Sequence, residues 1–243
     1  MEISRVGDGQ VVLLAGGGKV FTDIAARFVA SERSIEEISD SPYSAKIVRN
    51  IIRNGHLAAT EFDYYVFGVS GYSRVTETQL VRKRLASYLI KSGRVELKGK
   101  RAFRVVLPER VRDMSLPDAN LSVRDILKLL EAMYDHGLEL GIPEEELRYI
   151  KPQATEFRAI IGMNAHALLD WFGWRCCKKA QTEIRDLAEK MQALCKVVSP
   201  DLFANSGPRC VTYGYCPEEK QHPQCAKEGK YLSKVVALAK LQQ

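Results

Sequence analysis

The chain has no apolar run of the length that a membrane-spanning helix needs. Its opening, Met1-Glu2-Ile3-Ser4, does not resemble the start of a signal peptide. We therefore expect a cytoplasmic protein with no membrane partner, whose six cysteines are reduced.

The sequence also lacks the common phosphate-loop fingerprints. Gly16-Gly17-Gly18 follows a predicted strand at Val11–Leu14, but neither Gly-Lys-Ser/Thr nor Gly-x-Gly-x-x-Gly is present. We interpret the glycine triplet as a turn. The net charge of +6 is modest, and acidic runs such as Glu144-Glu145-Glu146 interrupt the cations. This pattern argues against a nucleic-acid partner and fits a pocket for small anionic ligands.

Hydrophobic periodicity predicts an α+β protein in a single domain, 1–243. Two further strands are predicted, at Phe62–Val69 and Arg101–Leu107. The predicted helices are Thr22–Ala30, Ser44–Arg53, Val123–Leu140, Arg158–Trp174, Cys177–Val198 and Lys230–Leu241. The helices Arg158–Trp174 and Cys177–Val198 are expected to form the core.

A basic stretch, Gln79–Arg94, is the most informative part of the chain. Val75, Leu80, Leu85 and Tyr88 have the spacing of one helical face, so we predict that the stretch opens as an amphipathic helix. This stretch suits a phosphate group, because guanidinium groups bind phosphate oxygens in pairs, a serine hydroxyl adds a donor and a glycine lets the backbone approach. The alternative is a solvated basic helix face.

The order of these residues resembles a family signature. Arg82-Lys83-Arg84, seven residues, Ser92, x and Arg94 is similar to the Arg-His-Arg, seven residues, Ser, x, Arg of flavin-dependent thymidylate synthases. Further matches to that family follow its order along nearly the whole chain: Ser34-Ile35-Glu36-Glu37, Gly55-His56, Gly71-Tyr72-Ser73-Arg74, Gln79-Leu80-Val81, Pro152-Gln153-Ala154-Thr155, Asn164-Ala165, Ala180-Gln181-x-Glu183-Ile184-Arg185, Gly207-Pro208-x-Cys210 and Cys216-Pro217-Glu218.

The resemblance implies helices packed on a central antiparallel sheet, and a homotetramer whose sites combine several subunits. It implies C5-methylation of dUMP to dTMP with FAD, methylene-tetrahydrofolate and NAD(P)H. In that family the reduced flavin mediates methylene and hydride transfer, without a cysteine nucleophile. The chain accordingly lacks the Pro-Cys-His motif of the unrelated cysteine-dependent enzymes.

The resemblance also assigns the nucleotide site. It gives the phosphate and sugar of dUMP or UMP to Gln79, Ser92, Gly93, Arg94 and Arg158. Arg185 is expected to face the uracil carbonyl edge and to stabilise negative charge there during the reaction. The alternative for Arg185 is a surface ion pair with Glu183 or Asp186.

The flavin site implied by the resemblance is less faithful to the family. It comprises His56, Arg82, Lys83, Arg84, Ile90, Arg175 and Lys179. Lys83 stands where the family has histidine, Leu89-Ile90 replace a polar pair, and Val95 replaces a tyrosine. His56 has an equally good structural interpretation as a residue that follows a helix.

Two other functions remain open. One is UMP or dUMP methylation in a modified-nucleoside pathway, such as that of a nucleoside antibiotic. The other is a nucleotide-binding paralogue without turnover. Near the end, Cys210, Cys216, His222 and Cys225 have the count of a zinc site but no Cys-x-x-Cys pair. The family-like pattern favours a packed structural tail, so no metal site is predicted.

Overall fold

The structure is a computed structural model that describes residues 1–17, 20–92 and 103–241. Its strands are β1 (Glu2–Arg5), β2 (Gln10–Ala15), β3 (Tyr64–Ser73), β4 (Ser87–Ile90), β5 (Arg104–Leu107), β6 (Ser115–Leu116), β7 (Leu121–Ser122), β8 (Glu156–Asn164), β9 (Tyr215–Cys216) and β10 (Leu232–Ser233).

Its α-helices are α1 (Phe21–Ala30), α2 (Ile35–Ser39), α3 (Ala45–Asn54), α4 (Arg74–Leu80), α5 (Glu109–Arg112), α6 (Val123–Glu139), α7 (Glu144–Leu147), α8 (Ala165–Arg175), α9 (Thr182–Val198), α10 (Pro200–Phe203), α11 (Arg209–Tyr213), α12 (Pro223–Glu228) and α13 (Lys234–Leu241). Short 3₁₀ turns cover Leu57–Phe62, Pro117–Ala119 and Arg148–Ile150. Along the described ranges, no helix combines the length and apolarity that crossing a bilayer demands.

The chain packs as two compact units. Unit 1 holds Met1–Val11, Gly68–Arg84 and Tyr88–Ile160, and unit 2 holds Val12–Phe67, Leu85–Ser87 and Ile161–Gln243. The principal sheet has the strand order β2-β3-β8-β4, and each of its strands contributes residues to both units. The predicted α+β class with an antiparallel sheet is confirmed. A single domain over 1–243 stays a prediction.

Unit 1 is organised around a small sheet and one long helix. β1 pairs in parallel with β5, from Glu2 opposite Arg104 to Arg5 opposite Leu107. The apolar face of α6 meets this pair, and the rings of Phe103 and Tyr134 lie edge to face with centroids 5.5 Å apart. The sequence did not predict β1, because four residues carry too little alternation to stand out.

Unit 2 has the larger helical core, built on α8 and α9. Buried side chains from both helices include Leu168, Phe172, Leu187 and Met191. The ring of Tyr65 packs edge to face on Phe203, and its hydroxyl donates a 2.8 Å hydrogen bond to the Ser199 hydroxyl. Burial raises the pKa of Tyr65 above its ordinary value, so this phenol stays neutral.

The predicted helix Arg158–Trp174 was wrong in its first half. Residues Glu156–Asn164 form β8, and the helix begins only at Ala165. Burial alternates through the first half of β8, which is the period of a strand. The apolar residues 157, 160, 161 and 163 also fit helical spacing, and that coincidence misled the sequence interpretation.

The helix predicted from Cys177 begins instead at Thr182. The side chain of Gln181 accepts a 3.1 Å hydrogen bond from the Ile184 backbone N–H at that helix start. Capping by a side chain satisfies one of the donors that a helix leaves open at its first turn.

The helix predicted for the basic stretch also ends early. α4 stops at Leu80, residues 81–86 form a turn, and Ser87–Ile90 form β4. Leu80 is fully buried, whereas Leu85 is 73% exposed, so the predicted apolar helical face does not exist. Tyr-Leu-Ile favours a strand, and pairing in the sheet overrides the helical spacing.

Candidate functional site

The three cations of the basic stretch lie in the turn between α4 and β4. The Tyr88 hydroxyl lies 2.8 Å from the Leu80 carbonyl oxygen and 2.9 Å from that of Lys83, so it fastens the turn to the strand that follows. Arg82 and Arg84 are exposed, and neither side chain pairs with a carboxylate in the described ranges. The turn therefore presents two guanidinium groups that are available to an anion.

Ser92 and Arg158 are brought together by strand pairing within unit 1. The backbone N–H of Lys91 donates a 2.9 Å hydrogen bond to the Arg158 carbonyl oxygen, which places Ser92 one residue away from that pairing. The Arg158 side chain is 53% exposed, and its Nε lies 3.4 Å from Glu156 Oε1. Such a long, exposed contact holds the guanidinium weakly, which leaves it free to turn toward a phosphate.

The remaining predicted nucleotide residues are only partly described. Gln79 is half-buried in the last turn of α4. Gly93 and Arg94, and also Val95, lie outside the described residues.

Arg74 connects the segments around Ser92 and Arg158, although from the sequence it was only one residue of a family match. Its backbone N–H donates to the Thr155 carbonyl at 2.9 Å, and its Nη1 lies 2.6 Å from Glu77 Oε2. Its Nη2 is 3.4 Å from the Lys91 carbonyl oxygen. Arg74 thus contacts the residue before Ser92 and the segment that leads into Arg158, and no pattern in the sequence marks such a contact.

Arg185 lies in the first turn of α9, within unit 2. Its side chain is 25% exposed, and its Nη1 donates a 3.2 Å hydrogen bond to the Lys178 carbonyl oxygen. Its Nε is 3.9 Å from Glu189 Oε1, one turn further along. The ion pairs considered from sequence do not form, because Glu183 is buried and Asp186 pairs with Lys190 at 2.8 Å.

The predicted flavin residues of unit 2 differ in their surroundings. Arg175 ends α8 and is half-buried. Lys179 Nζ lies 2.9 Å from Glu218 Oε2, and this hydrogen bond raises the pKa of Lys179. The two side chains are 38% and 35% exposed, so this ion pair is weak and Lys179 can exchange Glu218 for a phosphate.

His56 and Ile90 complete the predicted flavin set. His56 is exposed directly after Gly55, which ends α3 with φ +72°. Its backbone N–H donates to the Ile51 carbonyl at 3.1 Å, as expected for a helix end. Ile90 is half-buried in β4, beside the 70%-exposed Leu89.

Three comparisons place this chain among known proteins. The family model described as "Thymidylate synthase complementing protein" matches residues 17–201. The flavin-dependent thymidylate synthase of Geobacter sulfurreducens is 36% identical over 200 residues, which are 80% of this chain and 84% of that protein. The corresponding enzyme of Pyrococcus furiosus is 34% identical over 220 residues, or 86% and 88% of the two chains.

The chain belongs to the flavin-dependent thymidylate synthase family. The predicted resemblance is therefore confirmed. Among solved structures, the UMP/dUMP methylase PolB of Streptomyces cacaoi, bound with 5-Br dUMP, aligns with a TM-score of 0.68 at 22% identity. That alignment covers 84% of this chain and 96% of the methylase, and it shows that this member of the flavin-dependent thymidylate synthase family has the same fold.

Proposed function

We propose that this protein is a flavin-dependent C5-methylase of a uridine monophosphate, converting dUMP to dTMP with methylene-tetrahydrofolate and NAD(P)H. The observation that carries the proposal is the 36% identity to a flavin-dependent thymidylate synthase over 80% of the chain. Arg82, Arg84, Ser92, Arg158 and Arg185 all lie inside the residues that the family model matches.

In this proposal Ser92 and Arg158 hold the nucleotide phosphate, together with Gln79, Gly93 and Arg94. Strand pairing fixes the backbone of Ser92 next to that of Arg158, while the exposed guanidinium keeps the freedom to reach an oxygen. A hydroxyl donor and a two-pronged cation at one place suit a phosphate dianion.

Arg185 is the proposed catalytic residue. A uracil ring attacked during methylation becomes enolate-like, and the new charge gathers on its carbonyl oxygens. A guanidinium facing that edge stabilises the charge as it develops, which lowers the barrier more than it strengthens ground-state binding. The hydrogen bond to the Lys178 carbonyl orients the guanidinium before the substrate arrives.

The donor set of the basic turn fits a flavin dinucleotide. Arg82 and Arg84, which pair with no carboxylate among the described residues, offer their charge to a pyrophosphate, and the Tyr88 hydroxyl fixes the turn that carries them. His56, Lys83, Ile90, Arg175 and Lys179 complete the proposed contacts. When bound, the reduced flavin would mediate transfer of the one-carbon unit from methylene-tetrahydrofolate to the uracil ring and would supply the hydride.

A homotetramer is part of the same proposal. In unit 2, Phe28 is 61% exposed and Val29 is 87% exposed, and Val12 and Leu14 are each more than half exposed. Large apolar side chains left in water favour association with further copies of the chain. The family arrangement expected from the sequence takes Arg94 and Arg158 of one pocket from different subunits, whereas strand pairing puts Ser92 and Arg158 of the same chain side by side. Mixing Arg94→Ala and Arg158→Ala subunits distinguishes the two arrangements, because only the arrangement shared between subunits restores part of the activity. An active monomer in sedimentation would contradict the shared site.

The decisive experiment is turnover of dUMP against UMP, with flavin, methylene-tetrahydrofolate and NADPH supplied. Methylation of either nucleotide supports the proposal, and the ratio of kcat/KM values assigns the 2′-hydroxyl preference. Absence of turnover together with absence of saturable flavin binding would identify a nucleotide-binding paralogue. The same assay with NADH determines which nicotinamide donor is used.

Leu89 stands where the family has a polar residue, and this difference supports UMP as an alternative substrate. This leucine is 70% exposed and lies three residues before Ser92, where the family has a polar partner. An apolar side chain beside the sugar removes a hydrogen-bond partner from the ribose hydroxyl groups and so changes the preference between dUMP and UMP. The second proposed function is therefore a UMP methylase of a modified-nucleoside pathway.

A further inference from the structure

The helix α6 has two apolar faces, and one of them packs into the core of unit 1. Leu127 and Tyr134 are buried there beside the β1-β5 pair. A second set of large apolar side chains on the same helix is exposed in the folded chain, namely Ile126 at 37%, Leu129 at 57%, Met133 at 63% and Leu140 at 66%. A surface helix of a single chain needs only one apolar face, so the second face indicates a partner.

The exposed residues of α6 have the spacing of a seam between two helices. With 3.6 residues per turn, Ile126, Leu129, Met133 and Leu140 fall within one stripe about 60° wide. They occupy a and d positions of a heptad, and His136 takes the remaining position. We call these five residues the α6 stripe. Single exposed leucines are ordinary, whereas a continuous stripe at this spacing is a surface on which a helix packs.

Further exposed apolar residues lie at both ends of α6. At its start, the Val123 backbone N–H donates a 3.0 Å hydrogen bond to the Met114 carbonyl oxygen, and Leu116 lies two residues further along in β6. Met114 is 56% exposed and Leu116 is 54% exposed. At its end, the Ile142 backbone N–H donates a 3.0 Å hydrogen bond to the Gly137 carbonyl oxygen, and Ile142 is 36% exposed. These flanks extend the apolar surface beyond the roughly 25 Å of the helix, as a stable interface of roughly 800 Å² per copy requires.

The charges along α6 indicate the orientation of a partner helix. Lys128 is exposed in the first half, and Asp135 and Glu139 lie in the second half. The acids of the first half are engaged within the chain, because Asp125 caps the helix and Glu131 lies 3.1 Å from the amino terminus. A parallel copy would bring the two acidic halves together. An antiparallel copy places Lys128 opposite the acids of the other helix, and it also opposes the two helix dipoles.

A second copy of this chain fits such a surface, because a two-fold interface requires a surface that complements itself after reversal. When α6 is reversed about Met133, Ile126 and Leu129 fall opposite the region of His136 and Leu140. Lys128 then falls opposite the acidic half. The α6 stripe is therefore complementary to itself in both apolar pattern and charge.

We propose that α6 packs against α6 of a second copy of this chain, antiparallel, with the two-fold axis near Met133. The interface lies in unit 1, whereas the exposed residues that support the proposed homotetramer lie in unit 2. A tetramer with dihedral symmetry is held by more than one kind of interface, so the two surfaces are compatible. The inference does not depend on the proposed methylase activity.

The test is the mass of the assembly, measured by analytical ultracentrifugation of the full chain over a range of concentrations. Met133→Glu brings two carboxylates together near the axis and should raise the Kd of this association step by about tenfold or more. Since Met133 is exposed and glutamate is a good helix former, Tm should stay near that of the wild type. We expect a species of half the wild-type mass. A folded Met133→Glu protein with the wild-type mass and Kd would overturn the interface.

Reversing two charges tests the antiparallel orientation. Lys128→Glu should weaken association, and the double variant Lys128→Glu with Glu139→Lys should restore it. Residues 128 and 139 lie about 16 Å apart along the helix, so they cannot compensate each other within one chain. Association that is unchanged in Lys128→Glu, or that the second substitution does not restore, would contradict the antiparallel pair.

The same substitution in unit 2, Val29→Glu, separates this interface from that of the proposed homotetramer. If Val29→Glu dissociates the assembly and Met133→Glu does not, the homotetramer stands and the α6 interface is wrong. A wild-type chain that stays monomeric at every concentration would assign the α6 stripe to a helix of another protein, and it would overturn self-association. Each of these readouts is a mass and requires neither flavin nor turnover.

Discussion

Replacing Arg185 with alanine tests the proposed mechanism most directly. Removing a donor that is aimed at developing negative charge costs about 3 kcal/mol in the barrier, or about a hundredfold in kcat. The cost to the stability of the fold is smaller. One charge-assisted hydrogen bond from the guanidinium to the Lys178 carbonyl is lost, worth about 1.5 kcal/mol for a partly exposed donor, and the 3.9 Å contact with the half-exposed Glu189 adds little.

The structure supplies two matched controls for this variant. Arg185→Lys keeps the charge but not the flat two-pronged geometry, so it should rescue turnover poorly. Glu189→Gln removes the carboxylate nearest to Nε and leaves the guanidinium in place, so it should leave kcat nearly unchanged. If Arg185 served only in that ion pair, Glu189→Gln and Arg185→Ala would have similar effects.

The assay combines steady-state methylation, nucleotide affinity and thermal unfolding for each variant. We expect Arg185→Ala to lower kcat strongly while the nucleotide Kd and Tm change little. Arg158→Ala should show the opposite division, with weakened nucleotide binding and a smaller effect on kcat. Near-normal turnover in a folded Arg185→Ala protein would refute the proposed role.

Three further predictions concern other parts of the chain. Tyr88→Phe removes the hydroxyl that fastens the basic turn, and should weaken flavin binding several-fold, about 1 kcal/mol, in a fluorescence titration. Ser122→Ala breaks the capping box of α6 and should lower the free energy of unfolding by about 1 kcal/mol in denaturant titrations. The hydrogen bonds from Ser122 lower the pKa of Asp125 in the folded protein. The stabilisation by the capping box is therefore complete above the pKa that Asp125 has in the unfolded chain, and it is lost as the pH falls through the lower pKa of Asp125 in the folded protein. Burial raises the pKa of Cys195 to about 12, so almost none of this thiol is ionised at about pH 8. Since the thiolate is the reactive form, Cys195 should resist Ellman's reagent until the protein is unfolded.

Each of these has an outcome that contradicts it. Flavin affinity in Tyr88→Phe equal to that of the wild type would show that the turn needs no fastening. A Ser122→Ala protein as stable as wild type at neutral pH would mean that the cap is formed by other groups. Rapid labelling of Cys195 in the native protein, identified by peptide mapping, would show that unit 2 opens far more often than its packing implies.

The sequence by itself determined the family. Arg82, Ser92 and Arg185 could be proposed as site residues from sequence because the family signature is a matter of residue types and their spacing along the chain. Helix α3 with Gly55 at its end, and helix α6 with its cap, were also predictable. Their signals, an amphipathic period and a local cap, involve neighbours in the chain and need no tertiary context.

Tertiary structure decided what depends on distant partners. Residues 156–164 fit a helix and a strand equally well by spacing, and pairing between β4 and β8 selects the strand and places Arg158 beside Ser92. The pairing of Lys179 with Glu218 spans 39 residues, and that of Lys178 with Glu228 spans 50. A sequence pattern records residue types and local spacing, whereas ion pairs between distant residues depend on how the folded chain brings those residues together.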